Sequence, residues 1–314
     1  MRIGKDDNIK KVKRTLISFD WAIKRLLRQK ANFDILEGFL SELLFEEIKI
    51  KNLLESESNK TDENDRSNQL DLLCENDKGE LTIIEVQYHR EIDYFQRMLY
   101  GTSKVITEYM SVGEPYASVK KIYSVNILYF DLGQGKDYLY KGTLEFIGIT
   151  KHDKLLLSRA QVKYYQKESP SELYPEYYLI KVNNFDNVAK NTLDEWIYYL
   201  KNSELPTKYK AKGLDKVEKQ LKIDNMDATQ KKEYKQYQEN LMVSESALET
   251  AWYEGREEGI EEGIEKGIEK GSFDEKTQVI IQCFKKGFDL TLISEIVSMP
   301  KKEVEDILKD KGHL

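Results

Sequence analysis

Two carboxylates, Asp71 and Glu85, stand on either side of a turn in the stretch QLDLLCENDKGELTIIEVQYH, residues 69–89. Asn76-Asp77-Lys78-Gly79 has the composition of a type I turn closed by a left-handed glycine, a common three-residue hairpin loop. With Asp77, Lys78 and Gly79 in the loop, Asn76 pairs with Glu80, Leu72 faces Ile84 and Leu70 faces Val86. One face is then apolar, made of Leu70, Leu72, Cys74, Ile84 and Val86 with Thr82 at its edge. The same register sets Asp71 opposite Glu85 and Gln69 opposite Gln87 on the other face, with Gln87 and then His89 continuing it. Like charges directly opposite each other destabilise a strand pair, their side-chain bases being about 5 Å apart. A divalent cation held by both carboxylates is the simplest compensation. The plainer alternative is a pair of solvated acids on the wet face of an amphipathic hairpin.

The arrangement D-x(13)-E-x-Q across a hairpin, with apolar residues around the Glu, resembles the core motif of the PD-(D/E)XK nuclease superfamily. Within it the stretch is similar to the Rpn-type group of recombination-promoting nucleases and putative transposases, in which Gln replaces the usual Lys. Other stretches share the likeness: FDWAIKRLL at 19–27, ILEGFLSELL at 35–44, FQRMLYGTSKVITEYMSVGEPY at 95–116 and the glycine-spaced EGREEGIEEGIEKGIEKG near the C-terminal end. The resemblance implies an α/β, restriction-endonuclease-like core, a mixed sheet with a central hairpin flanked by helices, plus a helical C-terminal tail. It also implies Mg²⁺-dependent hydrolysis of DNA phosphodiesters, with Mn²⁺ as a substitute, in recombination or mobile-element biology. Asp71 and Glu85 are then the metal ligands and Gln87 orients the attacking water. Gln lacks the positive charge of the Lys it replaces, so compensation falls to Arg97 or Lys24. Asp20 is either an outer carboxylate or a helix N-cap, and His89 either contacts a phosphate or lies exposed at the strand end.

Elements that could position these groups follow from periodicity. Phe19, Ile23, Leu26 and Leu27 predict a helix over 18–30, and Ile35, Leu36, Phe39, Leu40, Leu43 and Leu44 another over 33–50. Asn52 to Ser67 reads as a polar loop. Helical spacing returns over 92–112 and stops at Gly113-Glu114-Pro115. IYSVNILYFDL at 122–132 has apolar residues on both faces, as a buried central strand does. Further strands are predicted at 144–149 and 177–185, and a helix at 192–202 opened by Thr192 with Glu195 three residues later. The nuclease-like core is thus expected over 15–202, followed by a charged helical connector over 203–250.

Residues 251–272 carry Gly255, Gly259, Gly263, Gly267 and Gly271, with Ile260, Ile264 and Ile268 each one position after a glycine. Each glycine costs a helix about 1 kcal/mol relative to alanine. The segment is therefore either a helix stabilised by association, with a second copy of the chain as the expected partner, or a flexible linker. Residues 273–314 read as three short helices resembling a helix-turn-helix, whose last helix would enter a major groove; Glu303, Glu305 and Asp306 suit phosphate poorly.

At 314 residues the chain can hold one core of about 200 residues and an appendage. It has no apolar run long enough to span a bilayer, and its lysine-rich start lacks the apolar core of a secretory leader. Two distant cysteines and three scattered histidines argue against a disulfide framework and a Cys/His zinc site, and for a reducing cytoplasm. The net charge of −7 opposes nucleic-acid binding overall, but residues 1–30 hold ten Lys or Arg against three Asp, a local +7. DNA is the expected partner. The rival reading is a catalytically weak or inactive DNA-binding, oligomerising protein of the same fold. A glycosidase built on the carboxylate pair is the weaker alternative, since no sugar-stacking site lies near the acids.

Overall fold

In the computed structural model, which describes residues 15–54 and 70–314, six strands form one mixed sheet. They are β1 (Ile50–Leu54), β2 (Leu72–Asn76), β3 (Leu81–Gln87), β4 (Ile122–Leu128), β5 (Leu139–Gly142) and β6 (Glu176–Lys181), in spatial order β1-β2-β3-β4-β6-β5. β1, β2 and β3 run antiparallel in succession, β4 pairs parallel with β3 and with β6, and β5 closes the far edge antiparallel to β6. The hairpin has the predicted register: Leu72 pairs with Ile84, Cys74 with Thr82, and the Asn76 amide donates to the Glu80 carbonyl at 3.0 Å. Gly79 takes φ +78°, the left-handed conformation that the turn requires.

Parallel neighbours cannot be joined by a tight turn. The chain therefore leaves β3, crosses over as a helix and returns as β4. Before the sheet come α1 (Phe19–Arg25) and α2 (Phe33–Leu44); the crossover is α3 (Tyr94–Glu108); α4 (Arg159–Tyr165) lies between β5 and β6; α5 (Thr192–Asn202) and α6 (Leu214–Gln220) follow. α3 packs on one side of the sheet, where Val105 joins Leu73, Leu81, Ile83 and Ile122. On the other side lie Ile84, Val86, Val125 and Ile127, all buried, and the Tyr129 hydroxyl donates to the Leu200 carbonyl of α5. There Phe19, Phe39, Trp196 and Tyr199 of α1, α2 and α5 meet edge to face at 5.4–6.4 Å. Each such side chain contributes roughly 1.5–3 kcal/mol on burial, so covering both faces of β3 and β4 fixes the sheet. α2 approaches the start of α6 so closely that a Cβ on Gly38 would lie 2.3 Å from the Lys212 carbonyl oxygen.

Several expectations need correction. The Asp71–Glu85 face is not wet, because α3 covers it. Leu70 leaves the Leu72 face and joins the cluster under α3, since the chain bends at Asp71 and alternation stops there. The helix predicted to reach residue 50 ends at Leu44, and Ile50–Leu54 pairs as an edge strand. The predicted strand at 144–149 forms only an isolated bridge from Ile147 to Lys154, whereas Leu139–Gly142 pairs with β6. Asn191, not Thr192, caps α5, accepting from the Asp194 amide at 2.9 Å. The basic residues from Arg2 to Arg14, most of the predicted 52–67 loop, and Gln69 lie outside the described residues.

The start of the core is tied to a distant part of the chain. The Ile17 amide donates to the Leu221 carbonyl at 2.8 Å, the Ile223 amide to the Thr15 carbonyl at 3.0 Å, and the Ser18 amide to the Tyr234 hydroxyl at 3.0 Å.

By contact the chain divides into two units, Met1–Tyr234 and Lys235–Leu314. A continuous 58-residue helix, α7 (Ala228–Lys285), takes in all five spaced glycines. It ends before Gly287, at φ +85°. α8 (Leu290–Val297), capped by Asp289, and α9 (Lys301–Asp310) enclose a small core of Ile280, Ile293, Val297, Val304, Ile307 and Leu308. Along the repeat nothing lies within 4 Å of a Cβ placed on any of the five glycines, and Ile260, Ile264 and Ile268 are 50%, 58% and 69% exposed.

Candidate active site

β2 and β3 bring the two acids together. The last ladder pair is Leu72 with Ile84, so the next step sets Asp71 across from Glu85. Asp71 lies just outside β2, and its Oδ2 accepts the Val86 amide at 2.7 Å, taking the place of a ladder bond. Its Oδ1 meets Lys24 Nζ at 3.2 Å, and its carbonyl accepts from Arg28 Nη2 at 2.7 Å. α1 therefore places a cation on Asp71, and Arg28, three residues beyond α1, anchors the backbone there.

Glu85 is held far more loosely. Only 12% of its side chain is exposed; Oε2 lies 3.9 Å from Arg97 Nη2, and buried Oε1 has no hydrogen-bond partner among the described residues. Burial first, and the Asp71 charge second, push the Glu85 carboxyl up to about 8, against the pull of Arg97, the Asp71 backbone amide and Lys24. A buried polar atom without a partner is costly and calls for an explanation. Beside it, under α3, Glu85, Tyr94, Arg97, Leu70, Ser124 and Asn126 line a pocket of about 10 Å³, space on the scale of a single water. Asn126, paired in register with Glu85, is locked by the Tyr94 hydroxyl at 3.0 Å and by donation to Ser124 Oγ at 3.0 Å.

Gln87 follows on the same strand face. Its Nε2 donates to Glu91 Oε1 at 2.7 Å and, more weakly, to the His89 carbonyl at 3.4 Å. Arg97 Nη1 donates to that same Glu91 oxygen at 2.7 Å. Sequence reasoning missed Glu91 because it lies in the connection to α3, where no periodicity marks a residue. Arg97, one of two cations expected to offset the acids, is shared between Glu91 and Glu85; Lys24, the other, sits on Asp71. His89 is half-buried in the turn after β3.

Asp20 stands apart. It is the second residue of α1, the N-cap being Ser18, so the capping role does not apply. It is fully buried beside Ser18, the Trp21 amide, Lys24 and Tyr88, yet neither carboxylate oxygen makes a well-directed hydrogen bond, and burial raises its pKa. Tyr88 stacks on Tyr129 at 4.1 Å on the sheet side opposite Glu85. Of the predicted residues, the structure thus gathers Asp71, Glu85, Gln87, Lys24 and Arg97 and sets Asp20 behind the sheet.

Among the described residues no three His, Cys, Asp or Glu side chains form a ready-made metal cluster. A magnesium site does not need one. The ion commonly takes one or two carboxylates and completes its shell with water and substrate oxygen. A buried Glu85 oxygen that lacks a hydrogen-bond partner among the described residues, together with Asp71, is a donor set of that kind.

A family model described as a PD-(D/E)XK nuclease family transposase matches residues 17–251, which include every strand, α1 to α6 and the first part of α7. No curated protein and no solved structure matches the chain.

Proposed function

Because the chain belongs to the PD-(D/E)XK nuclease family transposases, we propose that it is a metal-dependent DNA endonuclease whose site is built on Asp71 and Glu85. The observation that carries this reading is the buried Glu85 Oε1, without a hydrogen-bond partner among the described residues, across the hairpin from a second acid. Mg²⁺, or Mn²⁺ in its place, when held by Asp71 and Glu85, supplies a Lewis acid for the scissile phosphate and lowers the pKa of a bound water. The chain's own residues do the rest. Lys24 and Arg97 flank the acids and offset phosphate charge, Gln87 helps to orient the attacking water, and His89 at the strand end meets the DNA backbone. Asp20 acts on the site only through Lys24. The partner is DNA, and the process is recombination or mobile-element movement. The setting is the cytoplasm, where Cys74 and Cys283, both unpaired, stay reduced; no described helix is long and apolar enough to cross a membrane.

Self-association through α7 belongs to the same proposal, since Ile260, Ile264 and Ile268 form an exposed apolar ridge beside open glycines. Light scattering on the full chain should give a mass above one protomer, and Ile264→Lys should return it to the monomer. An unchanged mass in the variant would remove α7 from the interface.

One observation favours a second reading. Lys24 already sits on Asp71, and Arg97 approaches Glu85. A site neutralised from within suits a DNA-binding protein with little or no turnover. Supercoiled plasmid incubated with protein and Mg²⁺ or Mn²⁺ decides between them. Nicking that requires the cation and is lost in Asp71→Ala and Glu85→Ala supports the enzyme, whereas a mobility shift without nicking in the wild type supports the binding protein.

A further inference from the structure

Glu91 lies outside the acid pair yet touches two side chains that serve it. A primary amide has a donor end and an acceptor end. Gln87 commits its donor end to Glu91 at 2.7 Å and to the His89 carbonyl at 3.4 Å, which leaves Oε1 as its uncommitted polar atom among the described residues. Gln87 shares its strand face with Glu85, two residues before it. Turning the amide over would set a carbonyl oxygen against the Glu91 carboxylate, acceptor against acceptor. The orientation seen has a charge-assisted hydrogen bond instead, roughly twice as strong as a neutral one. Arg97, drawn to the same Glu91 oxygen at 2.7 Å, keeps its other nitrogen toward Glu85 at 3.9 Å.

We propose that Glu91 is a positioning residue that holds the Gln87 amide with its carbonyl oxygen toward Asp71 and Glu85, so that position 87 serves the site as an acceptor while Arg97 carries the cationic role. The proposal rests on the nuclease reading of the acid pair. An acceptor beside two carboxylates adds a third oxygen to a site for a hard cation or for the proton of a water; it cannot grip a phosphate oxygen, which needs donors. A lysine at position 87 would not substitute, because Glu91 would draw its ammonium away from the acids.

The test uses the full chain with ¹⁵N-labelled glutamine side chains, the Gln87 signal being assigned by its loss in Gln87→Leu. In the wild type the Gln87 amide protons should be shifted downfield relative to exposed glutamines. Glu91→Ala should abolish that shift, and Glu91→Gln, which retains an acceptor oxygen, should preserve part of it. Mn²⁺ affinity, read by electron paramagnetic resonance, should fall about tenfold in Glu91→Ala, the lower end of what the loss of a supporting contact costs. In a Gln87→Leu background, Glu91→Ala should cost at most about a third of that. An unmoved Gln87 signal in Glu91→Ala overturns the proposal, and so does nicking by Gln87→Lys that equals or exceeds the wild type. Should the wild type fail to nick, the nuclease reading falls separately, and the amide shift with Mn²⁺ affinity still decides the orientation.

Discussion

The central strand β3 has a buried carboxylic acid against each of its faces. Glu85 lies under α3, and Asp20 packs from α1 against Tyr88 on the opposite side. Burial is the leading cause of a raised pKa in both. Their surroundings differ. Glu85 has a second acid across the hairpin, a guanidinium at 3.9 Å and a small pocket beside it, whereas Asp20 is enclosed by Ser18, Tyr88 and its own helix, with Lys24 of that helix as its nearby cation. The contrast teaches that burial makes an acid unusual, while a like-charged neighbour and an opening make it usable. Asp20 has the burial and the raised pKa, without a facing acid or an opening beside it.

The largest expected effect tests that contrast directly. Asp71→Ala and Glu85→Ala should each lower plasmid nicking on the order of 10³-fold, while Asp20→Asn, near-isosteric with the carboxyl group, should stay within about tenfold. Equal loss in Asp20→Asn and Glu85→Ala would break the distinction. Next in size, Arg97→Ala and Lys24→Ala should cost about 10²-fold each, as the removal of one charge-stabilising donor does. Loss confined to DNA affinity would reassign both to binding.

The third effect is on stability. Glu85 titrates near 8 in the folded chain, above the 4.5 of an unperturbed Glu, so its protonated form favours folding. That contribution is complete below about pH 4.5 and is lost as the pH rises toward about 8. Without metal, the thermal midpoint should therefore fall between pH 5 and pH 8. Glu85→Gln should flatten the fall, and Mg²⁺ should raise the midpoint more at pH 8 than at pH 5.5. Parallel profiles for wild type and Glu85→Gln would show that Glu85 is not the titrating group. The smallest effect belongs to the other side of the sheet: Tyr88→Phe keeps the stack on Tyr129, and should cost no more than about 1 kcal/mol in stability with nicking unchanged.

The legible parts of this molecule are those fixed by neighbours in sequence. Asn76 to Gly79 carry their own turn chemistry, so the hairpin register and the facing of Asp71 and Glu85 followed from local residues. β4 announced its burial through apolar residues on both faces. What needed a distant partner was not legible. Ile50–Leu54 is a strand because β2 lies alongside it, and Leu139–Gly142 because β6 does. Leu144 to Ile149 have the composition of a strand and only a bridge to pair with. Glu91 could not be found from spacing, since its place at Gln87 and Arg97 depends on how the chain rounds the end of β3.

The backbone ties that seat α1 also set an order of events during synthesis. Thr15, Ile17 and Ser18 find their partners at Ile223, Leu221 and Tyr234. The hairpin acids, by contrast, need only residues 71–86 to face each other. A chain made from its N-terminal end therefore exposes its acids well before the ribosome has delivered the residues that clamp α1. A product truncated before residue 221 would carry the acid pair without the backbone ties that lead into the helix of its nearest cation, Lys24.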